Sequence, residues 1–178
     1  MKIGRHGLRD HLRLLAPLFG LITAVWALRL IMDLADTPPA LVRMVSVSVT
    51  GAVAVLVAVT LIHFKRFGGY ASVVLAAFLL IGWAQLIVVF AIALTAWTGW
   101  VNVYSSPEYT YGATHLQHIA GHLTLGLGME GIFASVMGCI LLWVLRRLVP
   151  IKDLSKSGRH MALLTSSGKD SNASSGRG

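Results

Sequence analysis

Four unbroken apolar runs constrain this chain more than any other feature. They cover residues 14–35, 41–63, 70–97 and 119–145. Each is long enough for a spanning helix, which takes ~20 mostly apolar residues. In hydrocarbon every backbone amide and carbonyl must bond within the protein, so each run is expected to be helical. Only 12% of the 178 residues are charged, against about 25% in an ordinary soluble domain. The single cysteine, Cys139, excludes a disulfide scaffold.

The net charge of +8 would point to nucleic acid in a soluble protein. Here the basic residues stand at the ends of apolar runs, where they set topology, so nucleic acid is not an expected partner. Lys2, Arg5, Arg9 and Arg13 precede the first run, and Lys65 and Arg66 separate the second from the third. Arg146, Arg147, Lys152 and Lys156 follow the fourth. The stretch 98–118 has no lysine or arginine, and Arg43 is the nearest cation in the connection after the first run. Positive loops stay cytoplasmic, which puts both termini inside a multi-pass protein of the cell membrane. A cleaved signal peptide is the rival for the first run. Apolar residues continue past Arg29 to Met32 with no small-x-small site directly after them, which argues against cleavage.

The expected fold is therefore all-α: four transmembrane helices in an up-down-up-down bundle, with a short interfacial helix before the fourth. Residues 1–13 form a basic cytoplasmic N-terminus, 14–150 the membrane domain and 151–178 a basic cytoplasmic tail. The tail carries too little apolar surface to offset its ordering entropy and is expected to be disordered. Its Asn172-Ala173-Ser174 sequon would lie on the cytoplasmic side, where it is not used.

Three constellations could carry chemistry. His115, His118 and His122 fall within a sector of about 60° on a helix, so they can converge on one metal ion or proton path. Glu108, Asp33 and Asp36 are expected on the same side, and so are Tyr104, Tyr109 and Tyr111. The structural alternative is a set of interfacial histidines in an aromatic belt. Glu130 lies ~16 Å into the fourth run, near the bilayer midplane, and intramembrane carboxylates are functional candidates by default. Gln85, at matching depth in the third run, can donate to it, and the pair could equally be interhelical glue. Arg29 and Asp33 stand four residues apart and share a face of the first run. Arg29 either pairs there and snorkels outward or turns inward toward Glu130.

The fourth run also carries Gly121, Thr124, Gly128, Gly131, Ser135 and Gly138 at alternating steps of three and four. Such a seam of small side chains permits close helix approach and marks this run as the central helix or as a contact surface for another subunit. No nucleophile–base pair accompanies it, so a non-catalytic protein is expected. The leading expectation is an accessory or assembly subunit of a larger membrane complex, packing through that helix against other subunits or a second copy, with membrane lipid around it. The alternative is a small proton- or metal-linked transporter using Glu130 and the histidines. A third class is a haem-binding or other enzyme subunit. The cofactor stays open between none, a divalent metal and haem.

The orientation has a direct consequence. A cysteine introduced at Ser106 should react with an impermeant thiol reagent added outside intact cells, and labelling only after permeabilisation would reverse the topology.

Overall fold

A computed structural model describes residues 2–3, 6–105 and 114–149, with side chains from Gly7 onward. The tail 151–178 with its sequon lies outside the described residues, as do Glu108, Tyr109 and Tyr111. The chain divides into two compact units, Met1–Arg147 and Leu148–Gly178, and of the second only Leu148 and Val149 are described.

The N-terminus opens with a two-residue antiparallel pairing of β1 (Lys2–Ile3) with β2 (His6–Gly7). Everything else regular among the described residues is helical. Helix α1 (Leu8–Leu34) starts six residues before the apolar run does. The Asp10 carboxylate accepts from the Gly7 amide at 2.9 Å, which satisfies an N-terminal donor and lets Arg9 and Arg13 join the first turns. Pro17 removes one backbone donor from this helix without ending it.

The second apolar run is broken where hydropathy shows no seam. A short helix, α2 (Pro39–Met44), begins with proline at its first position, where a missing amide costs least. Val45 is extended, and Ser46 then caps α3 (Val47–Phe64) by accepting from the Val49 amide at 3.3 Å. A serine whose hydroxyl competes for backbone donors starts a helix more readily than it continues one. Helix α4 (Tyr70–Thr98) follows and ends at Gly99, whose φ of +75° is the left-handed conformation that glycine adopts freely.

The last apolar stretch is one continuous helical rod in three parts. It comprises α5 (His115–Gly121), a π-helical segment (His122–Glu130) and α6 (Gly131–Leu148). Thr114 and Gln117 form a reciprocal capping box at its start, with bonds of 2.9 and 3.3 Å. The histidine stretch forms the first two turns of this rod, and residues 106–113 before it lie outside the described residues. Four helical stretches, Leu8–Leu34, Pro39–Phe64, Tyr70–Thr98 and His115–Leu148, are long and apolar enough to cross a membrane.

The centre of the bundle is α4, not the fourth rod. Helix α4 packs against α1, α3 and the π segment, and its Ala76, Ala77, Ala84 and Ala91 are almost fully buried. Alanine gives α4 the close approach that the glycine seam was expected to give the fourth rod. That seam is split. Its lower half packs: Ser135 is buried, a Cβ on Gly131 would stand 2.9 Å from the Phe78 ring, and one on Gly138 would stand 2.8 Å from Val73 and 3.2 Å from Val59. Its upper half does not, since a Cβ on Gly121 or Gly128 would meet no atom within 4 Å and Thr124 is exposed. The cause is the π segment, whose i→i+5 bonds take one residue more per turn and carry the upper positions off the line of the lower ones.

Gly138 sits between two valines that are fully buried and cannot retreat. Gly138→Leu should cost about 1–3 kcal/mol by overpacking, read as a lower denaturation midpoint in detergent. Gly128→Ala, facing open space, should be neutral or stabilising in the same titration.

Candidate functional site

The site forms where the π segment lies on α4. Gln85 projects from the middle of α4 and is 3% exposed. Its amide rests in a notch at Gly126, where a Cβ would stand only 2.6 Å from Gln85 Cδ and Oε1. Any side chain at residue 126 would evict the amide. From that notch the amide reaches both ways along the fourth rod. Gln85 Oε1 lies 2.6 Å from His122 Nδ1, and Gln85 Nε2 donates to Glu130 Oε2 at 2.8 Å. His122 Nε2 in turn lies 3.2 Å from His118 Nε2, with the ring centroids 4.9 Å apart.

Donor and acceptor roles follow from the order of these atoms. Gln85 Oε1 only accepts, so His122 carries its proton on Nδ1 and its Nε2 is a lone pair. His118 must then donate from Nε2, which leaves its buried Nδ1 as an acceptor with no protein partner. All three bonds point one way, from His118 through His122 and Gln85 to the Glu130 carboxylate. One other fully bonded arrangement has the same heavy-atom positions. A protonated Glu130 donates to an amide turned over by 180°, and each imidazole then moves its proton to its other nitrogen. The reversed chain thus requires a protonated Glu130, whereas the first needs only an accepting oxygen there.

Above the chain lies a polar cavity of about 240 Å³ lined by Arg29, Ser46, Ser48, Tyr104, His118 and His122, with Val47, Val88 and Val103. The Arg29 guanidinium stands 5.1 Å from the centre of the Tyr104 ring, and the Tyr104 hydroxyl donates to the Trp26 carbonyl at 3.4 Å. Burial pushes the Tyr104 phenol far above its ordinary range, with Arg29 opposing, so it stays a protonated donor. Asp33 accepts the Val103 amide at 2.8 Å and so ties α1 to the connection after α4. That connection folds inward: Asn102, 2% exposed, donates to the Ala91 carbonyl and to Thr95 Oγ1, and its own Oδ1 accepts the Tyr104 amide. Tyr104, expected in a surface belt, is a buried wall of the site because the Asn102 turn turns it in.

The expected three-histidine metal site is not assembled. Among the described residues no three His, Cys, Asp or Glu side chains come close enough to hold one ion. His115 and His122 are about 10 Å apart along the helix at ~1.5 Å per residue, whereas imidazole–zinc bonds are about 2 Å. His115 is exposed, and only His118 and His122 meet. Two imidazoles one turn apart on the same helix also cannot take opposite faces of a haem. Sequence reasoning named Tyr104 on the side of the histidines but missed Gly126 and the two serines. Gly126 lies outside the three-four spacing of the seam, and its role shows only once Gln85 is placed across from it.

Comparison with known proteins finds no matching family model, no matching curated relative and no matching solved structure.

Gly126 and Gln85 should be coupled energetically. Gly126→Ala is expected to destabilise the parent by about 1–3 kcal/mol, and by much less once Gln85→Ala has removed the amide. Additive costs in this double-mutant cycle would mean that the notch does not hold the chain together.

Proposed function

We propose that this chain is a small proton-linked carrier of the cell membrane, spanning it four times with both termini cytoplasmic. One observation carries the reading: a single buried amide joins a carboxylate at mid-depth to a histidine pair nearer the outer end. The remaining polar groups support it, since the histidine pair also lines the polar cavity with Arg29 and Tyr104. In this orientation the cavity faces the outer leaflet and Glu130 lies near the midplane.

A charged carboxylate at that depth costs about 2.5–3.5 kcal/mol on insertion scales, whereas one interhelical hydrogen bond returns only about 0.6 kcal/mol on average. The Gln85 bond alone does not offset that cost, and an intramembrane carboxylate left so is a candidate proton site. A primary amide does not itself hand a proton on, and the chain therefore transmits polarity. Protonation of Glu130 opens the reverse polarity, in which His118 Nδ1 changes from acceptor to donor. Proton binding at one depth thereby alters hydrogen bonding at another, which is the coupling a carrier needs. The metal-linked version has only two imidazoles in its favour, and we do not propose it.

A second reading rests on a different observation. Gly121 and Gly128 face open space and Thr124 is exposed, so the upper fourth rod offers a surface on which another membrane subunit or a second copy can pack closely. An accessory or assembly role would use that surface.

Glu130→Gln separates these readings because it keeps the size and a hydrogen-bonding end while removing the titration. In liposomes loaded with a pH-sensitive dye, the parent should take up protons under an imposed gradient. Glu130→Gln should reduce that uptake at least tenfold with helix content and elution volume unchanged. Equal uptake by parent and variant would sink the proton-linked reading.

A further inference from the structure

Glu130 has a second face, and it looks away from the polar chain. Between α3 and the fourth rod lies a cavity of about 550 Å³ whose walls are almost entirely apolar, including Val55, Ile81, Met129, Phe133 and Met137. Among the described residues its polar contributors are Ser48 and Glu130, and no lysine, arginine or histidine lines it. Met129 and Phe133 at its rim are 67% and 68% exposed, so the cavity opens on the lipid-facing side of the bundle. Its volume is within the range of about 300–1,000 Å³ typical of small-molecule sites.

We infer that this cavity binds a hydrophobic organic cation, an ammonium or phosphonium ion with an apolar body, in competition with the proton on Glu130. The inference rests on the carrier reading above and names the substrate class for the same carboxylate. Charge complementarity selects the occupant. An acyl chain would fill the apolar walls but leave the one carboxylate unanswered, and an anion would be repelled by it. A soft cation satisfies both the walls and the charge. Phe133 supplies a π face for it, and Met129 and Met137 are flexible, polarisable side chains that adapt to bulky ligands.

The groups around Glu130 are consistent with direct competition. Gln85 on α4 donates to it, Ser48 on α3 lines the same cavity, and His122 lies beyond the amide on its own rod with His118 further on. Arg29 and the histidine pair line the polar cavity, which shares Ser48 with this one. A proton or an organic cation can each neutralise the carboxylate, and binding one displaces the other. A cation entering from the lipid side would hold Glu130 deprotonated and keep the chain pointing from His118 toward Glu130.

The test uses the full chain purified in detergent and tetraphenylphosphonium as the probe, with calorimetric titration at pH 8 and pH 5. Saturable binding is expected at pH 8, weakening as the pH is lowered toward 5. Glu130→Gln should lose at least tenfold in affinity at pH 8 and show no dependence on pH. Neutral triphenylphosphine, with a similar body and no charge, should bind at least tenfold more weakly than the cation. Equal affinity of Glu130→Gln and parent, or equal affinity for the neutral probe, overturns the inference. If Glu130→Gln does not fold, Ala52→Phe decides, because it fills the cavity from its exposed rim, and unchanged binding overturns the site. Proton uptake without the probe keeps the two readings apart. Uptake that depends on Glu130 with no cation binding defeats this inference alone, whereas Glu130-dependent cation binding without uptake supports it and defeats proton linkage.

Discussion

A carboxylate can be carried inside an apolar bundle only if something beside it donates a hydrogen bond, and in this protein that donor is the Gln85 amide. The rest of the site follows from how the amide is held. It lies across the central helix and the fourth rod, fills the space left by the absent side chain of Gly126, and bonds to Glu130 on one side and His122 on the other. Removing the notch would displace the amide, and with it would go both the donor to the carboxylate and the acceptor for the imidazole. One contact between a glycine and a glutamine therefore links two titratable groups eight residues apart.

The same contact explains why the fourth rod is packed unevenly. Toward Leu148, Gly131 and Gly138 approach Phe78, Val73 and Val59, and Ser135 is buried. The π segment packs on α4, and a cleft lies between α3 and the rod. The cleft is polar where Arg29, Tyr104 and the serines enter it and apolar where Met129 and Phe133 line it. Glu130 sits at the boundary, bonded to the polar chain on one side and exposed to the apolar cavity on the other. Such π segments inside α-helices are often found at functional sites. Here it brings two imidazoles and a carboxylate to bear on one amide.

Much of the fold was legible in the residues because hydrophobicity and length are local properties. The four apolar runs agree with four long helices, and the depth argument that placed Gln85 opposite Glu130 needed only a rise per residue. What was not legible depended on single hydrogen bonds. Ser46 interrupts an apolar run because its hydroxyl caps α3, and nothing in the hydropathy of that run marks it. Asn102 draws Tyr104 inward from a segment whose aromatic composition suggested an interface. The glycine seam was drawn on an ideal helix, and a change of hydrogen-bonding period within nine residues was enough to divide it.

The sequence by itself determined that the chain is helical, that four of its segments can cross a membrane, and that a carboxylate and a histidine cluster lie on the last of them. These follow from the cost of burying charge and backbone and from the uneven placement of lysine and arginine, which do not depend on how the helices pack. Only the tertiary structure decided that α4 is the central helix, that two histidines rather than three act together, and that Glu130 faces two unlike environments. Those outcomes depend on which side chains meet across helices, and helix rotation is set by packing contacts such as Gly126 against Gln85, which no single segment encodes.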